Sequence, residues 1–540
     1  MHVLSLMIVL GIEGTAHTIG VGILDENTIY ANLSHMYRPA AGGIHPREAA
    51  DHHFNHVTRV ITSALHESGL SMADIDLVAY SKGPGLGPCL KIAATAARSL
   101  SVLNNIPIVG ANHSLGHVEI GRRLTGVQDP AVLYLSGGNT QVIAHESGRY
   151  RVFGETTDIG IGNMLDKFAR SLGLPFPGGP EIERIAAEGS RLYELPYSVK
   201  GMDSSFSGML TAALRLTQQG AKPSDMAYSL QETAFSMMVE VLERAIKHLG
   251  KSSVLLTGGV ARNQRVRTMV KDMAGEIGID VGLTPGEFCS DNGAMIAQAA
   301  LLIVKHGKSE PISETVVEQS SRIDQTPVPW MHSTAPVESR DSGAEASIRF
   351  VSYDSRKAVE KIRHPKRYRV HDLDLRVRKE RTRNEISLLS RLSEAGVKVP
   401  TVYDFSMGDT TLIMERIEGT TVSERLHSHL NPEGLVKSLG KMVASMHNAS
   451  ISHGDLTTSN ILVSGEDDLT IIDPSMGNSS AEIEDIATDV FLLTESLRSN
   501  HSDIPTLEKI FIGTYSVSAA KWEETRDIIR EIERRRRYLW

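Results

Sequence analysis

Two folded units are predicted, an α/β unit over the first three hundred residues and a smaller α+β unit over the last two hundred. Three observations carry this. Apolar strand-like runs alternate with helical patterns up to about residue 305, which argues an α/β architecture. From 307 to 342 the periodicity stops, and Pro311, Pro327, Pro329 and Pro336 stand among many Ser and Thr residues, as in a linker. Beyond it the pattern is strand-rich and then helix-rich. The expected division is 1–306, a linker over 307–340, and 341–540.

Length and composition agree with it. The chain has 540 residues, more than one domain of roughly 150 residues accommodates. Hydrophobic residues make up 41% and charged residues 22%, ordinary values for a globular protein, so disorder or a rod is excluded as the main state. Two cysteines, Cys89 and Cys289, make no disulfide framework and no multi-cysteine zinc site, and they suit a reducing cytoplasm. The opening MHVLSLMIVLG is too short to span a bilayer and lacks a basic flank. It is expected to be a buried first strand, with Met7 an alternative start, and no membrane association is expected. The net charge of −9 does not announce nucleic-acid binding. Its distribution is more telling: Arg356 to Arg383 holds twelve Lys and Arg against four acids, and Arg534 to Arg537 form a second cluster. Such runs are often only solvated faces; the alternative is a phosphate-binding surface.

Strands are expected at VGILDE, DLVAYSKG, AVLYLSGGNTQVIA and SSVLLTGG, and helices after Pro46, Gly87, Ser224 and Asp291. Glycine turns follow three apolar strands, in LGIEGTAHTIGVGI, LYLSGGNTQVIA and LLTGGVARN. Consecutive glycines let backbone N–H groups converge on an anion. The layout resembles the superfamily of actin, sugar kinases and heat-shock ATPases, which implies a duplicated, two-lobed nucleotide-binding fold. In ANHSLGH, His113 and His117 are four apart and share one helix face, where they can chelate a cation. A zinc protease needs Glu after the first His, and here Ser114 stands there. Asp291 and Tyr134 are candidate oxygen donors that spacing alone does not select.

Eleven motifs, among them GIEGTAHTIGVGI, GGIHPREAADHH, YSKGPGLGPCL, NHSLGH, LYLSGGNTQ, GETTDIGIGNMLDKFAR and LTGGVARN, together resemble the universal tRNA threonylcarbamoyladenosine transferase, the catalytic subunit of KEOPS. The resemblance spans residues 7 to 305. It implies transfer of a threonylcarbamoyl group from its adenylate to the adenosine beside the anticodon in tRNAs that read ANN codons. It further implies one iron ion on His113, His117, Tyr134 and Asp291. Threonylcarbamoyl-adenylate contacts are implied at Tyr134, Leu135, Ser136, Gly137 and Gly138, and at Asp166, Gly179, Glu183 and Asn263. A metallo-endopeptidase is the alternative from another enzyme class, and an ATP-sensing tRNA-binding scaffold is a third.

In the second unit, HGDLTTSN sets Asp455 five residues before Asn460, the catalytic-loop spacing of protein kinases. Asp473 follows the strand LTIID, where a second magnesium-binding carboxylate belongs. Lys361 lies on a strand and Glu385 on the next helix, an ATP-phosphate cation and its partner. The unit resembles the small atypical, RIO-like kinase/ATPase subunit of KEOPS, over about 341 to 537. This implies ATP with magnesium, held by Asn460 and Asp473, and a phosphate loop at Gly343, Ala344, Glu345 and Ala346 together with Lys361. Pro474 and Ser475 depart from the Phe and Gly usual there, and the ending RRRRYLW departs from the usual basic tail. The fusion implies a cytoplasmic, archaeal KEOPS component whose partners are tRNA and the other small subunits.

Overall fold

A computed structural model describes residues 6–39, 42–307, 309–334, 345–428, 431–465, 468–501 and 504–538. The chain divides into two units. The first comprises Met1–Tyr197 and Ser204–Glu338; the second comprises Ser339–Arg537 and the short segment Ser198–Asp203.

The first unit contains the same sheet twice. Strands β1 (Val9–Glu13), β2 (Thr18–Leu24), β3 (Ile29–Met36), β4 (Leu77–Gly83) and β5 (Ile108–Asn112) lie in the order β3-β2-β1-β4-β5. Then come β6 (Ala131–Leu135), β7 (Thr140–Glu146) and β8 (Arg149–Glu155), then β11 (Ser253–Thr257) and β12 (Asp280–Leu283); between them the chain forms β9 (Val199–Lys200) and β10 (Asp203–Ser204), a short pair falling mostly in the segment grouped with the second unit. The second sheet runs β12-β11-β6-β7-β8. In each sheet an antiparallel three-strand meander is extended by two parallel strands. That is the duplicated, actin-like arrangement, although the sequence carries no visible repeat. Strands β1, β2, β6 and β11 are buried along their whole length, as central strands covered on both faces must be.

Glycines fix how the helix Gly293–Lys305 meets the first sheet. A Cβ on Gly22 would lie 2.1 Å from Ala294 N, and one on Gly293 would lie 2.0 Å from Gly22 N. Backbone packs directly on backbone there, and this holds Asp291, just before the helix, in place. The helix is capped by Asn292, whose Oδ1 accepts the Met295 N–H at 3.0 Å.

Residues 309–334, read from composition as linker, pack on this unit. Glu318 N–H donates to the Lys82 carbonyl at 2.7 Å, and Val328 N–H to the Gly148 carbonyl at 3.0 Å. Val328 and Met331 join the buried core. Prolines interrupt helical periodicity without preventing such docking. Residues 335–340 lie outside the described residues.

The second unit begins with an antiparallel sheet of β13 (Ser347–Tyr353), β14 (Arg356–Ile362), β15 (Val402–Ser406) and β16 (Thr411–Glu415), in the order β13-β14-β16-β15. The helix His371–Glu394 lies between β14 and β15 in the chain. A smaller sheet, β17 (Thr420–Thr421), β18 (Ile461–Ser464) and β19 (Asp468–Ile471), leads into helices Ile483–Asn500, Leu507–Ser518 and Trp522–Tyr538. Helix Pro432–Asn448 supplies Leu435, Leu439 and Val443 to the main apolar core. Among the described residues no helix is long and apolar enough to cross a membrane.

The basic run 356–383 requires a correction. Lys361, Arg363, Arg369 and Arg378 are buried, and carboxylates neutralise them: Glu385 and Asp473 for Lys361, Glu385 for Arg363, and Asp374 for the other two. Alternating strand and helix positions turned these cations inward, so the run is not one continuous phosphate-facing surface. Arg356, Arg367 and Arg383 are exposed.

Candidate active sites

In the first unit, the helix His113–Thr125 starts directly after β5, with the Asn112 Oδ1 accepting the Leu115 N–H at 3.1 Å. The i, i+4 spacing places His113 and His117 on one face. Both aim Nε2 at Asp291 Oδ1, from 3.6 Å and 3.3 Å. One ligand atom from each of the three residues lies within 4.8 Å of the other two, a donor set suited to a divalent cation. Two buried imidazoles facing a carboxylate are otherwise costly to desolvate, and His117 Nδ1 is buried with no hydrogen-bond partner. Tyr134, fully buried on β6, sets its ring 5.3 Å from that of His117. Burial and the nearby Asp291 push its phenol well above the ordinary range.

The structure adds a residue that the motif reading did not single out. Glu13, fully buried at the end of β1, sets Oε2 3.2 Å from His113 Nδ1. Its other oxygen accepts the Thr15 N–H at 2.7 Å and the Thr15 hydroxyl at 2.5 Å. With Nδ1 held by Glu13, Nε2 is the nitrogen left to face a cation. Burial opposes a charge on His113, but Glu13 and then Asp291 outweigh it and lift the imidazole to about 9. Burial and the His113 charge lower His117 despite Asp291. The signal in the sequence was an acid closing an otherwise apolar strand, VLGIE. Glu13→Gln is expected to keep the fold and weaken metal affinity by roughly 10–100-fold, the cost of losing an outer partner of a ligating histidine. Competition against a chromogenic chelator measures it; unchanged affinity would contradict the role.

The glycine turns converge on this centre. Ser136 N–H donates to the Asn139 carbonyl at 2.7 Å, closing the turn after β6. Asn163 N–H donates to the Gly137 carbonyl at 2.9 Å, which seats the turn on the start of helix Ile161–Ser171. Gly258, at φ +96°, passes so close to β6 that a Cβ would lie 2.3 Å from the Leu135 carbonyl oxygen. Thr257 Oγ1 donates to the His117 carbonyl at 3.1 Å, tying the third turn to the histidine helix. Gly138 lies in the second of the three turns, after β6.

The remaining expected ligand residues have structural partners. Asp166 accepts the Gly178 N–H at 2.7 Å, and burial raises its carboxyl although that bond opposes the rise. Gly179 faces open space. Glu183 accepts the Gln264 N–H at 2.7 Å. Asn263 caps the helix Gln264–Ile277 by accepting the Arg265 N–H at 2.8 Å, and donates to Gln231 at 2.8 Å. Glu183 and Asn263 thus meet at one helix start.

In the second unit, Lys361 on β14 donates to both Glu385 oxygens, at 2.9 and 3.1 Å, and its Nζ lies 2.7 Å from Asp473 Oδ1. Burial opposes a charge on Asp473, but Lys361 and then Arg363 hold it well below the usual carboxylate range. Asp473 has φ +57°, a conformation that costs about 1–3 kcal/mol, immediately before Pro474. Asn460 Nδ2 donates to the Asp455 carbonyl at 2.8 Å. Asp489, fully buried, accepts the His453 N–H at 2.5 Å and the Gly454 N–H at 2.8 Å, fixing the loop before Asp455. Sequence reading assigned Asp489 no role, since an acid inside a helix is usually a surface group. Glu345 pairs with Arg381 at 3.0 Å and Ala346 is buried; Gly343 and Ala344 lie outside the described residues.

Comparisons with known proteins match both units. Residues 28–298 match the family model of tRNA N6-adenosine threonylcarbamoyltransferase, and 347–482 match that of the RIO domain. Relatives described as "Probable bifunctional tRNA threonylcarbamoyladenosine biosynthesis protein" span the chain. The one from Thermoplasma volcanium is 51% identical over 99% of this chain and 100% of its own. The one from Methanothermobacter thermautotrophicus is 45% identical over 98% of this chain and 100% of its own.

Proposed function

The chain belongs to the family of bifunctional tRNA threonylcarbamoyladenosine biosynthesis proteins, and from that membership we propose how its two units act. The first unit transfers the threonylcarbamoyl group from threonylcarbamoyl-adenylate to the exocyclic amine of the adenosine beside the anticodon of tRNAs reading ANN codons. One observation carries this reading: the His113, His117 and Asp291 centre is tied through Thr257 to turns whose backbone amides suit a phosphate. His113, His117, Tyr134 and Asp291 hold the metal, for which the family resemblance implies iron. When bound, it supplies a Lewis acid that polarises the acyl carbonyl. The Gly137 and Gly138 amides bind the adenylate phosphate, and AMP leaves once the amine has attacked the acyl carbon. Gly179 leaves room for the nucleoside, and Asp166, Glu183 and Asn263 orient its hydroxyls. The adenine lone pair is delocalised into the ring, so holding the mixed anhydride close is the chief task of these residues.

The second unit binds ATP with magnesium. Lys361 meets the phosphates, Asn460 and Asp473 hold the ion, Asp455 faces the acceptor, and Glu345 and Ala346 border the nucleotide. Glu385 positions Lys361. We place the protein in the cytoplasm, with tRNA and the other small KEOPS subunits as partners. Exposed Arg356, Arg367, Arg383 and Arg534 contribute to tRNA backbone contact. The test is reconstitution with tRNA, ATP, threonine, bicarbonate and the adenylate-forming enzyme, followed by nucleoside analysis. Modified adenosine that depends on this chain, and rises when the other subunits are added, is expected. Intact adenosine with every component present would overturn the reading.

A further inference from the structure

A second histidine cluster lies in the first unit. His52 and His56 are four apart on the helix Pro46–Ser68, and His35 reaches them from β3. One nitrogen from each residue falls within 4.8 Å of the others. His35 Nδ1 lies 2.7 Å from His52 Nε2, a hydrogen bond that one shared proton accounts for. The rings of His35 and His56 stack at 4.0 Å, and those of His52 and His56 at 4.3 Å. His56 Nδ1 donates to the His52 carbonyl at 2.7 Å, so Nε2 is the nitrogen that would meet a metal.

The transferase reading uses none of these residues. Three imidazoles with ring nitrogens this close repel one another when protonated and are poorly matched when neutral. Burial, then His56 and His35, push His52 down to about 4, while burial, His56 and Arg59 lower His35. His52 is therefore uncharged at neutral pH, as a metal-ligating imidazole must be. Tyr37 lies beside His52, with its hydroxyl donating to Glu48.

We propose that His35, His52 and His56 form a second metal site, for a divalent transition-metal ion of the zinc or copper class. Imidazole ligands select these ions over magnesium or calcium. Bonds of about 2.0–2.1 Å in tetrahedral geometry need nitrogens roughly 3.3 Å apart. A small outward swing of exposed His35 opens the present 2.7 Å contact to that spacing.

The experiment uses the full chain, stripped with a chelator, loaded with zinc, desalted and analysed for metal. Wild type is expected to retain one equivalent more than His35→Asn/His56→Asn. The single variant His35→Asn, at an exposed strand position, should show the same loss and so guards against misfolding of the double variant. Copper(II) loaded into a His113→Asn/His117→Asn background should give an electron paramagnetic resonance signal split by three nitrogens. Removing ligands should weaken zinc binding beyond the ~10–100-fold cost of losing an outer-shell partner. Equal zinc content in wild type and both variants, or an extra ion lost on desalting, would overturn the proposal.

Discussion

Asp291→Ala is expected to strip the first unit of its metal and to lower threonylcarbamoyl transfer by more than the roughly 100-fold that loss of an outer-shell partner can cost. Among the described residues, Asp291 Oδ1 is the one carboxylate oxygen faced by both Nε2 atoms, at 3.6 Å from His113 and 3.3 Å from His117. Without it, two neutral nitrogen donors and a buried phenol remain to hold a divalent cation, with the nearest compensating charge on Glu13, behind His113. The variant should still fold. Asn292, and not Asp291, caps the following helix, and the glycine contacts that seat that helix are untouched. Asp291→Asn keeps the shape, removes the charge and should fall between the two. Metal content by mass spectrometry and transfer in the reconstituted reaction test this, with ATP turnover by the second unit as the control. Wild-type metal content in Asp291→Ala would remove Asp291 from the ligand set.

How much of this was legible in the sequence depended on whether the cause was local. Helix spacing alone put His113 and His117 on one face, and proline and glycine signals marked the helices Pro46–Ser68 and Gly87–Asn104. The third ligand lies 174 residues from His117 in the chain, so no local pattern points to it. Glu13 and Asp489 escaped notice because their roles follow from what packs against them. The duplication was legible only through the glycine turns and the resemblance they carry, because no sequence repeat marks it; sheet topology depends on which positions are apolar more than on which residues fill them. The charge run 356–383 misled for the converse reason. Counting cations along the chain ignores that alternate strand positions and one helix face turn inward, where Lys361, Arg363, Arg369 and Arg378 found acids. The His35, His52 and His56 cluster pairs two residues four apart on one helix with a third from strand β3, which no local pattern links to them.

Glu385→Ala should be the most destabilising single change in the second unit. Glu385 is fully buried and holds two cations at once, Lys361 at 2.9 Å and Arg363 Nη2 at 2.5 Å. Removing it leaves Arg363 buried without its carboxylate and Lys361 with Asp473 alone. Breaking a buried pair from one side costs about 3–5 kcal/mol, because an uncompensated charge stays out of water. A typical domain has a total stability of about 5–15 kcal/mol, so much of the second unit's margin would go. Lys361→Met asks less of the fold, since Glu385 keeps Arg363, yet it removes the cation expected to meet ATP. The two variants therefore separate stability from nucleotide binding. Glu385→Ala should lower the second unit's calorimetric transition most, with Glu385→Gln intermediate. Lys361→Met should melt nearer wild type and lose protection by ATP. If Glu385→Ala came within ~0.5 kcal/mol of wild type, the range of an ordinary surface substitution, the cluster would not be the buried anchor of the nucleotide site described above.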